Sequence, residues 1–473
     1  MNVKFLNFIK GFMHAVSANV IRLMISIVLT LLLPKLLGVE EYSFWQLYLF
    51  YVTYTAYSSL GFCEGTYLKY GGKKYKELDG KVMASQFWTL AIYEVLFSIV
   101  CGLIFQQVVP DKEKSFILCL ALISSVFDIL RYLLQCVLQA TNRIKEFARV
   151  MTSERVLFFV FLMITLLLGY RDYRFLIASE ILARIVSMIY AMVLCKEKVF
   201  VRFAWNKDSF QESKELVGIG FKLLLATLAS QLVIGIVRFM IELKWGTVVF
   251  GKVSLTLSLS NMVITCIGAV SIVLFPVLKN MEKEKLDQLY ETMRMVLTVP
   301  VLFVLLFYAP MKLILSAWLP QYAESLRYLA VLLPICVYET RSYALINTYF
   351  KAYRKENDIL LVNVVTVILS LILSAFAVLV CESLDLAVVS IVILMVFKSV
   401  YAEWIMKKYV HIHVGVDNIL EIILTLIFIV SSLLLSEWTA FLVYLAAYVL
   451  YLLIRRRKIV EQFKKAKEIA SKK

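Results

Sequence analysis

The chain has 473 residues, of which 61% are hydrophobic and only 18% charged, against about 25% charged in soluble proteins. A water-soluble fold of this size could not hide so much apolar surface, so lipid is the solvent for most of it. The net charge of +16 does not point to nucleic acid, because no basic stripe lies on a soluble element. Lysine and arginine held on the cytoplasmic side, facing anionic lipid, account for it.

The eight cysteines are scattered through apolar runs without a C-x-x-C, and only His411 and His413 lie close together among the three histidines. That spacing implies neither a disulfide framework nor a zinc site, and no metal or cofactor is expected. The N-terminus begins basic, but the apolar stretch from Met13 to Leu37 is too long for a signal peptide and reads as the first membrane span.

A span needs about 20 mostly apolar residues, since only a helix satisfies its own backbone in hydrocarbon. About fourteen such stretches follow in order: 13–37, 43–63, 84–109, 115–138, 154–169, 175–195, 217–242, 253–278, 295–317, 325–349, 358–380, 385–406, 418–435 and 438–454. With the N-terminus inside, the inside loops hold roughly 34 basic residues and the outside loops about 6. The expected topology therefore has an even span count and both termini cytoplasmic. Outside loops are about ten residues or shorter, and the inside stretches 199–216 and 280–294 read as amphipathic interfacial helices.

An internal repeat recurs at an offset of about 208 to 212 residues. Gly38 to Ser43, joining the first two spans, matches Gly246 to Gly251 between the seventh and eighth. Asp128 and Arg131 in the fourth span match Glu339 and Arg341 in the tenth. The pattern predicts an N-terminal six-helix bundle over 1–198 and a C-terminal one over 199–410, with 199–216 as amphipathic connector. Residues 411–473 would add two further transmembrane helices and a basic cytoplasmic tail.

Charges inside the bilayer cost roughly 2.5–3.5 kcal/mol each at a helix centre, so each needs a reason. Asp128 and Arg131 are spaced i,i+3; Glu180 and Arg184, like Arg238 and Glu242, are spaced i,i+4. These pairs read either as stitches between helices or as groups along a pathway. Glu339 and Arg341 do not share a face and must find partners on other helices. Arg22 stands mid-span with no acid in its own helix, only Asn19 one turn before it, so it needs an anion or a watery cavity. Gln231, Arg238 and Glu242 form a polar stripe on an otherwise apolar helix. Lys35, Lys222, Lys312 and Arg327 lie near span ends and can snorkel.

The run Leu31-Leu32-Leu33-Pro34-Lys35-Leu36-Leu37-Gly38-Val39-Glu40-Glu41-Tyr42-Ser43 resembles the first-span exit of bacterial polysaccharide flippases. Leu60-Gly61-Phe62-Cys63-Glu64-Gly65-Thr66-Tyr67-Leu68-Lys69-Tyr70-Gly71-Gly72-Lys73-Lys74-Tyr75 is similar to their second-span exit. These proteins belong to the multidrug/oligosaccharidyl-lipid/polysaccharide exporter superfamily. The resemblance implies two six-helix bundles around a central cavity opening alternately to each side of a bacterial cytoplasmic membrane. It implies an undecaprenyl-pyrophosphate-linked oligosaccharide as cargo for O-antigen, capsule or teichoic acid, with membrane lipids and polysaccharide assembly proteins as partners.

Arg22 matches the position where flippases of this superfamily carry a cavity arginine. Asn19, Arg131, Arg238 and Arg341 are further headgroup candidates by position, and Asp128, Glu180, Glu242 and Glu339 are candidates for proton or sodium coupling. A lipid II flippase and a multidrug cation antiporter of the same superfamily are the nearest rivals, although antiporters usually carry a carboxylate where this first span has Arg22. A membrane polysaccharide polymerase or ligase would need a larger external loop, and no G-x-x-x-x-G-K-[ST] run offers an ATP site.

Overall fold

A computed structural model describes the backbone of residues 3–202, 207–279, 283–410, 412 and 414–471, and the side chains of 20–202, 210–265, 289–410, 412 and 414–466. Every regular element among the described residues is helical. The chain divides into two compact units, Met1–Leu228 and Ala229–Lys473.

The first unit contains α1 (Val3–Leu36), α2 (Val39–Thr55), α3 (Phe62–Tyr70), α4 (Gly80–Val108), α5 (Lys112–Ala140), α6 (Ile144–Leu167), α7 (Tyr173–Leu194), the short α8 (Lys196–Val199) and the start of α9 (Lys207–Lys279). The second holds the rest of α9, then α10 (Lys283–Val304), α11 (Tyr308–Trp318), α12 (Arg327–Leu332), α13 (Ile335–Thr340), α14 (Asn347–Ala352), α15 (Glu356–Ala375), α16 (Leu384–Met406), α17 (Gly415–Leu434) and α18 (Glu437–Ser471).

Eleven helical stretches among the described residues are long and apolar enough to cross a membrane. One of them, Phe210–Thr265, has 56 residues. Straight, it would run about 84 Å, nearly three hydrocarbon thicknesses, so it holds two spans. They part at Gly246, whose φ of 79° and ψ of 178° only glycine adopts readily. With α1 and α2 as the first two, all fourteen expected spans fall on helices. The protein is an all-α, multi-pass membrane protein.

Short loops are fixed by capping. Asp79, Asp111 and Asp172 each accept backbone N–H bonds at the starts of α4, α5 and α7. Of the two stretches expected to be amphipathic, the described parts 207–216 and 283–294 form the first turns of α9 and α10.

The two units bury equivalent helices. In the first, α5 packs against α2, α3, α4, α6 and α7, and 61% of its apolar window is buried. In the second, Arg327–Ala352 is 89% buried over the same measure, the highest of any span found. These are the fourth and tenth spans, which the sequence repeat pairs. A helix largely enclosed by its neighbours can carry charges that they neutralise, which is why both hold ionisable residues mid-span. The tenth is irregular: Pro334 interrupts it, and Arg341–Ile346 forms a wide π-type turn.

Glycine sets one close crossing. After α2, Leu60 (φ 51°) and Gly61 (φ 87°) turn the chain left-handed into α3. That helix then lies against the start of α9. A Cβ on Gly220 would stand 1.9 Å from the Gly61 carbonyl oxygen, and one on Gly65 would stand 1.9 Å from that of Leu216. Lys69 and Glu215 clasp across the same crossing at 2.9 Å. Burial, the largest single effect, lowers the Lys69 ammonium's proton affinity, but the Glu215 hydrogen bond and the nearby Tyr70, Glu212 and Glu215 together outweigh it, and the net shift is upward.

Candidate functional site

In the first unit the buried charges of four helices converge. Arg131 on α5 pairs with Asp128 one turn earlier and reaches Glu154 of α6 at 3.6 Å. Arg184 on α7 binds Glu180 at 2.8 Å and lies 3.7 Å from Asp128. Arg155 follows Glu154 on α6 at 4.0 Å. The i,i+3 and i,i+4 spacings make the pairs within a helix, while Glu154 and Asp128 join one helix to the next. Tyr48 of α2 closes one side, donating to Ser124 at 2.7 Å.

Arg22 of α1 stands at the edge of this network. Its guanidinium donates to the Met151 thioether sulfur at 3.2 Å, a weak acceptor. Among the described residues no carboxylate lies within ion-pair distance of it, and the charges that act on it are Arg155, Glu154 and Arg131. The cluster thus sets four arginines, Arg22, Arg131, Arg155 and Arg184, against three carboxylates, Asp128, Glu154 and Glu180. The surplus cation sits where Arg22 and Arg155 share one neighbouring carboxylate. An anion completes such a site, and guanidinium forks suit a phosphate. Asn19 lies in α1, with its side chain outside the described residues.

The second unit is organised differently. Arg294 of α10 is bound by Glu403 of α16 at 2.7 Å and by Glu421 of α17 at 2.7 Å. Arg341, in the tenth span, meets Glu421 at 2.6 Å, Asn418 at 2.8 Å and Ser399 at 2.8 Å. All four charged side chains are 1% exposed or less. Two arginines against two glutamates close the set electrically, so its evident work is to join α10, the tenth span, α16 and α17. Asp417 extends the tie to α18 through Arg455 at 2.5 Å and Lys458 at 2.8 Å.

The remaining sequence candidates lie apart from both clusters. Glu339 pairs with Lys398 at 3.3 Å, which also donates to Ser230. Arg238 donates to Ser254 at 2.9 Å and covers the Phe250 ring at 4.8 Å, across the Gly246 bend. Glu242 accepts from Thr247 on that hairpin. Of the nine candidates, the structure brings Arg22, Arg131, Asp128 and Glu180 into one network. Sequence reasoning did not single out Glu154 and Arg155, because both sit at the edge of the apolar window of their span. It also passed over Arg294, Glu403 and Glu421, and a lone Glu94 inside the third span, which a scan for any isolated acid within a span would have flagged.

Residues 72–320, just over half of the chain, match the sequence model of a family described as polysaccharide biosynthesis protein. The chain belongs to that family. No curated protein matches it in sequence. In three dimensions it is similar to the lipid II flippase MurJ in an inward closed conformation, at 11% identity, over 95% of this chain and 100% of that one, with a TM-score of 0.66. It is also similar to an inward-facing multidrug resistance MATE family transporter of the MOP superfamily, at 14% identity over 83% and 98% of the two chains, with a TM-score of 0.63. A MOP superfamily transporter from Pyrococcus furiosus matches at 14% identity over 83% and 95%, with a TM-score of 0.53. At these identities the likeness establishes the fold alone.

Proposed function

We propose that this polysaccharide biosynthesis family member is a flippase. It would carry an undecaprenyl-pyrophosphate-linked oligosaccharide across the bacterial cytoplasmic membrane by alternating access, with both termini cytoplasmic. The observation that carries this reading is the surplus cation at Arg22 and Arg155, embedded among lipid-crossing helices beside one shared carboxylate. A pyrophosphate cannot cross hydrocarbon unaided, and a charge-assisted contact inside the membrane lowers that barrier. Arg22 and Arg155 would hold the headgroup, while Arg131 positions Glu154 and Asp128 behind them. The same surplus argues against a cation antiporter, whose site needs net negative charge, and the reading is of a transporter rather than a polymerase or ligase.

The test is Arg22→Ala in the native host. Loss of surface polysaccharide with normal amounts of folded protein in the membrane is expected, and Arg22→Lys should retain part of the export. Normal polymer on Arg22→Ala cells would overturn the assignment. A second reading, lipid II transport, is favoured by the likeness to MurJ along the full length of that chain. Rescue of cells depleted of their own lipid II flippase would select it.

A further inference from the structure

Asp128, Glu180 and Glu339, among the carboxylates singled out for ion coupling, have cationic partners, whereas a further buried carboxylate has only a hydroxyl. Glu94, midway along α4, is fully buried. Ser58 donates its hydroxyl to one carboxyl oxygen, Oε2, at 2.7 Å. The other, Oε1, is buried without a hydrogen-bond partner. The groups that act on it are few. Its own surroundings contribute only burial and the Ser58 bond, with no lysine or arginine. The titratable neighbours that feel it are Tyr93 beside it on α4 and Cys63 on α3. Cys63 in turn also feels Glu64 of α3 and Asp128 and Cys136 of α5.

We propose that Glu94 is a proton-binding site of this protein, with Ser58 as its hydrogen-bond partner. An ionised carboxylate there would have one hydroxyl to replace its hydration and no counter-charge, which costs several kcal/mol. Adding a proton at Oε1 removes the charge and leaves Oε2 as the carbonyl oxygen that accepts from Ser58. A sodium ion fits less well, since a hard cation needs several oxygen ligands and the one group bonded to this carboxylate is a hydroxyl.

The position gives the proton something to act on. Ser58 lies in the tight turn just before Leu60 and Gly61, the left-handed break from which α3 departs. That helix carries the glycine crossing and the Lys69–Glu215 clasp. A neutral Glu94 is at ease in the dry, closed packing; an ionised one draws water and works against it. Proton binding and the closure of α3 on α9 are therefore linked. The binding step stands whatever the cargo; only its use in driving transport rests on the flippase reading.

The experiment is carbodiimide labelling of the full chain, with dicyclohexylcarbodiimide in detergent micelles across a pH series, read by peptide mass spectrometry. The reagent attacks protonated carboxyls in apolar surroundings. An adduct on Glu94 that declines as pH rises is expected, absent in Glu94→Gln. In Ser58→Ala it should persist to higher pH, because the bond that favours the charged form is gone. No adduct at Glu94, or one indifferent to pH, overturns the proposal, as does protection by sodium at constant pH. Should Glu94→Gln fail to fold, the Ser58→Ala shift decides. A disulfide between Lys69→Cys and Glu215→Cys tests the linkage. Relative to its yield in a Glu94→Gln background, it should fall as pH rises; a constant ratio refutes the link.

Discussion

Arg341 and Glu421 meet at 2.6 Å, one on the tenth span and the other on α17, and neither is more than 1% exposed. Glu421 also holds Arg294. One carboxylate of the thirteenth span therefore binds two arginines deep in the second unit, with Glu403 as the other counter-charge. Removing it leaves both under-compensated in a place where water cannot reach them. Glu421→Ala is expected to destabilise the protein by about 3–5 kcal/mol, the range for breaking a buried pair. Thermal unfolding followed by size-exclusion chromatography would show it, and unchanged melting would mean the pair contributes nothing net. Truncation before Gly415 should likewise abolish the folded protein rather than trim an accessory.

Arg155 offers a sharper test of the headgroup site than Arg22 alone. Arg155→Ala should reduce export while leaving thermal stability within about 1 kcal/mol, because the side chain is a third exposed and its contact with Glu154 is long. If Arg22 and Arg155 hold the same anion, the double variant should lose little more than Arg22→Ala. Additive losses in quantitative polysaccharide assays would place the two at separate sites.

The glycine crossing predicts a steric phenotype. Gly65→Ala and Gly220→Ala each put a methyl 1.9 Å from a carbonyl oxygen of the opposing backbone. Backbone cannot yield as a flexible side chain does, so α3 and α9 must separate. Each variant should cost about 1–3 kcal/mol in the closed state. Faster modification of a cysteine placed at Lys69 would report the opening; unaltered reactivity would show that the crossing tolerates the methyl.

Lys69 and Glu215 should behave as a true pair. Lys69→Glu introduces like charges at 2.9 Å and is expected to loosen the crossing, and Lys69→Glu with Glu215→Lys should restore it. The effect at this partly exposed site is small, well under the cost of a glycine substitution. The sign with pH is set by the raised lysine. Its contribution is complete below the ordinary lysine range and disappears only as pH rises through the elevated value, so the lysine's own charge adds no pH dependence near neutrality.

Much of this fold was legible before any coordinates. Hydropathy fixes the spans because the bilayer imposes one length and one backbone solution on every segment. Gly246 was legible as the second span junction because its neighbourhood repeats that of Gly38. Arg22 was legible because a lone cation in a span lacks a local explanation. The statement that Glu339 and Arg341 seek partners elsewhere also follows from spacing, and Lys398 and Glu421 are those partners.

Partner identity was not legible, and the reason is physical. Span length and side are set residue by residue through transfer into lipid, a property each segment has on its own. Which carboxylate meets which arginine depends on helix rotation and neighbour choice, set by packing between segments far apart in the chain. So the sequence determined the membrane class and the spans, and it singled out a lone arginine within the first of them. Only the tertiary structure decided that Arg155 joins it, that α17 and α18 are riveted into the second unit, and that Glu94 is left with a serine and no counter-charge.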